Sequence, residues 1–408
     1  MQKIKVIFDF EVLGNSYKNN QTGVYRVAYE IFRRFILRND LKVLYSNFNF
    51  NKDKDINSKI DRFISENQIV IKPANDCKRI RFIPLRKEKF FRKIYNKFGI
   101  FDYKISYNKE ANTANIYHSL FYPIHKSLAK FPDIKKIVTI HDLIPILFPQ
   151  LNSNTELLEK TIDSIGKDNF AICVSENTKK DLLNYAPYID QEKVFVSLLA
   201  ASPELFYKCN SKGKFAEVKN KYNIPERYFL SLSTLEPRKN IDHVIRCFIK
   251  TIIENNIDDL YLVLVGNKGW DFDKIFNEYD EAKDFQHRII ITGRIPDDDL
   301  ASIYSNANSF YYMSFYEGFG LPPLEAMQCG TPSVVSETSS LPEVVGEAGI
   351  LLDPKDQESL VKSMWKLYSD EVYRNELSEK SLEQAKKFSW EKTVQQHIDI
   401  YEQICFAG

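Results

Sequence analysis

Short apolar runs alternate with amphipathic helical stretches along most of this chain. The run at 4–10 predicts a strand, and in the stretch 24–37 apolar residues recur at helical spacing, which indicates a helix with one buried face. Further strands are predicted at 114–120, 135–142 and 169–175, and a second series at 227–234, 260–266, 288–293, 309–314 and 332–336. This alternation predicts an α/β protein whose parallel sheets carry helices on both faces.

The chain of 408 residues is too long for one ordinary core, so two domains are expected. A polar, turn-rich stretch near 203–225 separates the two series of strands, and we place the domains at 1–205 and 206–387. In an open α/β sheet, ligands bind beyond the carboxyl ends of the strands. Chemistry is therefore expected in the loops after the strands, and two such domains facing each other would form a cleft.

Composition and charge exclude few functions, but they indicate a cellular compartment. The chain has 56 basic and 55 acidic residues, which gives no global argument for a nucleic-acid partner. Its six scattered cysteines lack CxxC or Cys/His metal spacing and are interpreted as free thiols in a reducing compartment. The chain begins with a strand pattern instead of a secretory segment, and no apolar run approaches the roughly 18 residues of a membrane span. A cytoplasmic protein is expected.

Two loops of the first domain carry candidate site residues. Gly23 stands where a helix is predicted to begin, so backbone N–H groups there favour an anion and glycine permits close approach. An ordinary glycine in a long turn is an equal alternative. His141 follows the strand at 135–142, and either a structural or a catalytic histidine fits that position.

The loop LSTLEPRKNIDHVI is more informative. Arg238 and Lys239 lie beside a predicted helix start, with Asn240 as its expected N-cap. Arginine can bond two phosphate oxygens and lysine supplies a point charge, so this loop indicates an anion site. Two solvated surface charges remain the alternative.

The stretch YEGFGLPPLEAM at 316–327 holds two carboxylates. Glu317 follows a strand, and Glu325 is expected in the first turn of the helix that Pro322 and Pro323 begin. The amides of 318–321 could hold an anionic group between the two acids, an arrangement that suits a nucleotide sugar. The alternative for Glu325 is a glutamate favoured by the helix dipole.

Together these stretches resemble the GT-B retaining glycosyltransferases of family 4, which carry a Glu-x7-Glu motif. The resemblance covers nearly the whole chain, and within this family the chain is similar to the bacterial branch with O-antigen mannosyltransferases. The segments that carry it are TGVYR, HDLIPILFP, VSENTKKDL, STLEPRKN, ITGRIPDDDLASIYSNA, SFYEGFGLPPLEAMQCGTPSVVSETSSLPEVVGEAGILLDP and FSWEKT. It implies two Rossmann-like domains with parallel sheets facing across a cleft, and a terminal segment 388–408 that returns to the first domain.

The resemblance also implies roles. The donor diphosphate would be held by Gly23, Arg238, Lys239 and the amides of Phe319, Gly320 and Leu321; Glu325 would bind the ribose, and His141 and Glu317 would lie beside the donor sugar. Relatives often carry Gly-Arg where this chain has Ser233-Thr234, so one donor contact is absent or supplied elsewhere.

The implied reaction moves a hexose, with GDP-mannose as the favoured donor, to a growing surface glycan such as an O-antigen or a lipid-linked oligosaccharide. It would retain the configuration and need neither a metal nor another cofactor. A non-catalytic glycan-binding relative, an epimerase and a phosphorylase are the alternatives. A non-catalytic relative is expected to have lost Arg238, Lys239, Glu317 or Glu325, and all four are present.

A local basic stretch stands apart from these motifs. Residues 77–104 hold ten basic and two acidic residues with interleaved aromatics, a local charge of +8. Such a stretch is typical of an element on an anionic membrane surface. A solvated helix face with aromatics in the core fits equally well, and nucleic acid is the weaker alternative. Docking would suit a lipid-linked acceptor and place the enzyme at the inner face of the plasma membrane.

Overall fold

The protein divides into two compact units. The computed structural model describes residues 3–15, 23–46, 62–65, 77–79, 113–151, 155–269 and 273–406. Unit 1 comprises Met1–Val174, Thr178–Ser197 and Trp390–Gly408, and unit 2 comprises Ser175–Asn177 and Leu198–Ser389.

The chain passes into unit 2 at 197/198 and not at the predicted 205/206. From there the chain packs within unit 2: the ring of Phe206 lies 6.1 Å from that of Tyr304, and Gln328 Nε2 donates to Phe206 O at 2.7 Å. The stretch near 203–225, expected to be turn-rich, also contains a helix, Lys212–Tyr222.

Unit 1 is built on a seven-stranded parallel sheet with the order β3-β2-β1-β4-β5-β6-β7. The strands are β1 (Ile4–Asp9), β2 (Leu41–Ser46), β3 (Cys77–Arg79), β4 (Ile116–Ser119), β5 (Lys135–Ile140), β6 (Phe170–Cys173) and β7 (Val194–Val196). The helices that accompany them are α1 (Glu11–Asn15), α2 (Gly23–Phe35), α3 (Ile144–Leu147), α4 (Glu156–Asp163) and α5 (Glu176–Tyr185). The predicted strands at 4–10, 114–120, 135–142 and 169–175 are confirmed.

Unit 2 is a six-stranded parallel sheet with the order β10-β9-β8-β11-β12-β13. Its strands are β8 (Tyr228–Leu232), β9 (Tyr261–Val265), β10 (Ile289–Gly293), β11 (Ser309–Tyr312), β12 (Ser333–Ser336) and β13 (Ile350–Leu352). Its helices are α6 (Lys212–Tyr222), α7 (Ile241–Glu254), α8 (Asp273–Glu281), α9 (Asp297–Asn306), α10 (Leu321–Gln328), α11 (Leu341–Val345), α12 (Gln357–Ser369) and α13 (Glu371–Ala385). All five strands predicted for the second series are present.

The strand order places the chemistry of unit 2. β8 begins one half of the sheet and β11 the other, and the two are hydrogen-bonded neighbours with Phe310 paired to Leu230. The chain direction across the sheet therefore reverses between them, and ligands of open α/β sheets bind at the carboxyl side of such a switch point. The loops after β8 and β11 are the ones that carry Arg238, Lys239 and Glu317.

The last helix, α14 (Trp390–Phe406), packs within unit 1. Trp390 is buried, and Tyr401 Oη lies 2.6 Å from His118 Nδ1 on β4. At the surface, Arg34 Nε of α2 donates to Glu391 Oε1 at 2.9 Å. The helix is thus fixed by apolar burial and by a buried polar contact that has to be satisfied.

Candidate active site

The loops after β8 and β11 bring three of the predicted residues together. A short 3-10 turn, Pro237–Lys239, follows β8 and directs Arg238 and Lys239 toward the β11 loop. Lys239 Nζ lies 2.5 Å from Glu317 Oε1, and Arg238 Nη1 lies 2.9 Å from the same oxygen. Both cations are largely buried, so the alternative of solvated surface charges is wrong, while their predicted role toward an anion stays a prediction.

Two further side chains complete this cluster. Lys239 Nζ donates to Tyr312 Oη at 2.6 Å and lies 4.9 Å from the centre of the Tyr312 ring. Arg238 Nη2 donates to Glu236 Oε1 at 2.7 Å, and Nη1 donates to Tyr316 O at 2.6 Å. Neither Glu236 nor Tyr312 was singled out from the sequence, although Glu236 stands two residues before Arg238.

The electrostatics keep the cluster ionised. Burial would raise the pKa of Glu317, but Lys239 and Arg238 lower it to about 2. Burial and the neighbouring Arg238 lower the pKa of Lys239, while Glu317 acts against this shift. Burial also opposes the charge of Arg238, yet Glu317 and Glu236 raise its pKa. The arrangement is an ion cluster and not a proton-sharing pair, so Glu317 is a charged contact and a poor general acid.

Glu325 lies elsewhere than expected. α10 begins at Leu321, so Glu325 stands in its second turn and not in the first. Glu325 is only 3% exposed, and Tyr304 Oη donates to Glu325 Oε2 at 3.2 Å. Gly320 has a left-handed backbone conformation, and the helix begins at the next residue, Leu321. Pro322, Pro323 and Glu325 therefore each lie one position later in the helix than the sequence predicted. Its role toward a ribose stays a prediction.

The start of α10 presents backbone N–H groups. Within the described part of the chain, the N–H groups of Phe319, Gly320 and Leu321 donate to no other protein group. Pro322 and Pro323 add no donors to this end. Three free N–H groups at a helix start form an electropositive end that suits an anion.

The loop that carries Glu317 is braced by three consecutive hydroxyl residues. Glu317 N donates to Ser339 Oγ at 3.0 Å, and Ser340 Oγ lies 3.0 Å from Glu317 O and 2.7 Å from Phe319 O. Thr338 Oγ1 donates to Phe315 O at 3.0 Å. Ser339 has φ of 55°, a left-handed conformation that a serine seldom adopts. Sequence reasoning missed this brace, because a run of Thr and Ser carries no pattern of its own.

Asn240 does not cap α7 with its side chain. It has φ of 56°, and its Nδ2 donates to Met313 O at 3.1 Å and to Pro354 O at 2.7 Å. The left-handed backbone turns the amide away from the helix start and toward two buried carbonyls. Asn240 is thus the N-cap residue as predicted, but it makes no side-chain capping bond; its side chain instead ties the end of β11 to the loop after β13.

The Ser233-Thr234 pair is closely packed by a neighbouring loop. Ser233 N donates to Val265 O at 3.0 Å, and a Cβ on Gly266 would stand 1.8 Å from Ser233 O. The loop after β9 can approach this closely only with glycine at 266, where φ is 146°.

Two predicted residues belong to unit 1. Gly23 is the first residue of α2, and a Cβ there would meet no atom within 4 Å. His141 follows β5, and its Nε2–H donates to Leu120 O at 2.8 Å. Burial lowers the pKa of His141 to about 4, so the imidazole is neutral near pH 7 with Nδ1 unprotonated. The predicted roles of both residues toward a donor stay predictions.

Three further findings concern ligands and membranes. In the ranges that the structure describes, no group of three or more His, Cys, Asp or Glu side chains could hold a metal ion. Over the same ranges, no helix has both the length and the apolar character needed to span a bilayer. Of the basic stretch 77–104, only the short strand β3 lies among the described residues, so its predicted membrane role lies outside them.

Comparisons with known proteins agree with this geometry. Residues 214–387 match the family described as "Glycosyl transferases group 1". The chain is 32% identical over 272 residues to O-antigen chain mannosyltransferase B of Escherichia coli, covering 66% of this chain and 70% of that protein. It is 29% identical over 271 residues to the serotype-specific mannosyltransferase WbdA of Escherichia coli, covering 65% of this chain but only 33% of the relative.

Solved structures support the fold. A sucrose-phosphate synthase from Thermosynechococcus elongatus superposes with a TM-score of 0.71 at 19% identity and covers 100% of both chains. At this identity the likeness concerns the architecture alone, which is GT-B. The mannosyltransferase relatives add the activity class. By its matched family and its relatives, the chain belongs to the group 1 glycosyltransferases, and the resemblance recognised in the sequence is confirmed.

Proposed function

We propose that this glycosyltransferase moves a hexose, with mannose favoured, from a GDP-sugar or a related nucleotide sugar to a growing cell-surface glycan, with retention of configuration. The observation that carries the proposal is the cluster of Arg238, Lys239 and Glu317 at the carboxyl ends of β8 and β11. The mannosyltransferase relatives support the choice of sugar and of an O-antigen type of acceptor.

In this proposal the cations bind the donor diphosphate. Arg238 and Lys239 exchange part of their contact with Glu317 for phosphate oxygens, and the free N–H groups at the start of α10 bind a further oxygen. Glu317 then contacts the sugar. The C1–O bond to the diphosphate breaks, the acceptor oxygen bonds to the same face of C1, and its proton passes to the departing phosphate oxygen.

The proposal includes independence from metal ions. Charge that builds up on the leaving diphosphate is met by one guanidinium, one ammonium and the helix end, which together supply what a divalent cation supplies in other enzymes. Peripheral docking on an anionic membrane through residues 77–104 belongs to the same proposal, since a lipid-linked acceptor would lie there.

The test begins with thermal unfolding in a panel of GDP-, UDP- and dTDP-sugars, each with magnesium and with a chelator. A ligand that binds only the folded state raises the melting temperature. We expect GDP-sugars to act without magnesium and Arg238→Ala to abolish the shift. The matched control is Arg246→Ala on α7, whose side chain is 43% exposed and bonds Glu278.

The product decides the rest. With GDP-mannose and a short mannan acceptor, NMR of the product should give an α-linkage from the α-linked donor. A β-linkage, an absolute need for magnesium, or a shift only with another nucleotide would contradict the corresponding part of the proposal. Conversion of the nucleotide sugar without an acceptor would instead indicate an epimerase.

A further inference from the structure

Glu236 occupies an unexpected place for a carboxylate. It lies in the loop that binds the proposed diphosphate, its side chain is only 14% exposed, and it accepts from Arg238 Nη2 at 2.7 Å. It is also the residue before the 3-10 turn Pro237–Lys239, yet its side chain makes no capping hydrogen bond there. Its carboxylate is therefore used on Arg238 and not on the turn.

The two ends of the guanidinium have different partners. Nη1 is held by Tyr316 O at 2.6 Å and by Glu317 Oε1 at 2.9 Å, whereas Nη2 is held by Glu236. A planar guanidinium that is fixed at both terminal nitrogens has one orientation. Loss of the Nη2 partner would leave it free to turn about the remaining contacts.

The net charge of the cluster bears on the role of Glu236. Arg238 and Lys239 carry two positive charges, and Glu236 and Glu317 carry two negative ones, so the cluster is balanced without a ligand. A carboxylate at this place repels an arriving diphosphate, which is the opposite of what binding alone requires. Its presence is better explained by orientation of Arg238 than by affinity.

We propose that Glu236 is a positioning residue: it aims Arg238 at the reacting centre at some expense of donor affinity. This inference rests on the proposed function, because it names how one residue serves the transfer. It predicts that kcat and nucleotide binding respond differently to removal of the carboxylate, which a purely structural role would not produce.

The experiment compares Glu236→Ala and Glu236→Gln with the wild type, using GDP-mannose turnover and calorimetric binding of GDP. We expect Glu236→Ala to lower kcat by about tenfold or more, since misplaced catalytic groups have effects of this size. GDP should bind as tightly as to the wild type, or more tightly. Glu236→Gln keeps an acceptor for Nη2 and should restore kcat to within about threefold. Glu254→Gln, on the exposed end of α7, is the matched control.

A second readout does not depend on transfer. A crystal structure of ligand-free Glu236→Ala should have the guanidinium of Arg238 turned, with Nη2 moved from its wild-type position, while Glu236→Gln keeps Nη2 in place. If wild-type protein fails to use GDP-mannose, the proposed donor is wrong and this structural comparison still decides the role of Glu236. The inference is overturned if Arg238 stays in place in Glu236→Ala, if kcat is unchanged, or if GDP affinity falls in parallel with kcat.

Discussion

Lys239 and Glu317 form a buried ion pair, with Nζ 2.5 Å from Oε1 and the lysine side chain only 9% exposed. The two residues are far apart in sequence and meet because β8 and β11 are neighbours in the sheet. Without a donor bound, the Glu317 carboxylate thus neutralises the buried ammonium group of Lys239. Binding of a diphosphate is then an exchange of anions around Lys239 and Arg238 and not a simple addition.

Glu317→Gln tests this exchange. Removal of one partner from a buried ion pair leaves uncompensated charge and costs about 3–5 kcal/mol of unfolding free energy. Because GDP would supply the missing negative charge, it should raise the melting temperature of Glu317→Gln more than that of the wild type. Turnover should fall by about 100-fold or more, since a charged contact to the reacting sugar is lost. Thermal unfolding with and without GDP measures the stability loss and the GDP shift, and a GDP-mannose assay measures turnover, with Glu254→Gln as the control.

An equal GDP shift in Glu317→Gln and wild type would contradict the exchange. Unchanged turnover in the variant would remove Glu317 from the proposed mechanism.

Ser340→Ala tests the brace beneath the Glu317 loop. The buried carbonyls of Glu317 and Phe319 would lose the Ser340 hydroxyl, and an unsatisfied buried acceptor costs about 1–3 kcal/mol. We expect a lower melting temperature together with a reduced kcat, because the loop would no longer hold the carboxylate in place. Ser363→Ala is the matched control, since that buried hydroxyl donates to Leu360 O at 2.8 Å within α12. A reduced kcat in both variants would argue against a specific brace.

The sequence predicted the sheets better than the site. Apolar runs such as Tyr261–Val265 are buried strands of the kind that composition alone reveals. β13, with three partly exposed residues, and β2, which Lys42 interrupts, carry weaker signals and were missed. Parallel strands pair with partners that are distant in the chain, so short ones take their identity from the sheet.

In the site, residue type predicted charge but not conformation. Arg238, Lys239 and Glu317 were found because cations and acids after strands are informative. The left-handed backbone of Asn240 was not predicted, since asparagine suits both an N-cap and a left-handed position. The contact of Ser340 depends on how closely two loops approach each other, and a single serine gives no sign of that.

Gly320→Ala tests the start of α10. Gly320 has φ of 112°, and a Cβ there would stand 2.7 Å from Leu341 Cδ2. Alanine would have to leave this conformation, at a cost on the order of 1–3 kcal/mol, and would disturb the free N–H groups. We expect lower stability and weaker GDP binding. Gly213→Ala in α6 should be neutral or slightly stabilising, because a Cβ added at Gly213 would meet no neighbouring atom within 4 Å. Undiminished GDP affinity in Gly320→Ala would separate the helix start from the donor site.

The basic stretch 77–104 gives a prediction from sequence alone. Wild-type protein should sediment with vesicles that contain anionic phospholipid and remain in solution with neutral vesicles, since each basic residue near an anionic surface contributes about 1 kcal/mol. Replacing Arg86, Lys87, Arg92 and Lys93 by Glu should release it. Retention that survives these changes, or no retention at all, would count against membrane docking.

Stability of unit 1 should decrease in mild acid, because two buried histidines fix α14. His118 bonds Tyr401 of α14 and Thr139, and His397 Nδ1 lies 3.0 Å from Ser197 Oγ, which follows β7. Burial lowers the pKa of His118 well below its usual value and that of His397 to about 4.

The sign follows from proton binding. Below about pH 6.5 a histidine binds a proton in the unfolded chain, whereas His397 in the folded protein binds one only below about pH 4. The free energy of unfolding therefore decreases between these two values as the pH falls. Within unit 1, burial raises the pKa of Asp9 to about 6, which acts in the opposite direction. His397→Gln should therefore flatten the fall in unfolding free energy between pH 7 and pH 5 by roughly 2 kcal/mol. Guanidinium unfolding at both pH values measures the slope. An unchanged slope in this variant would mean that burial does not lower the pKa of His397 in the folded protein, and this histidine would then not contribute to the acid sensitivity of unit 1.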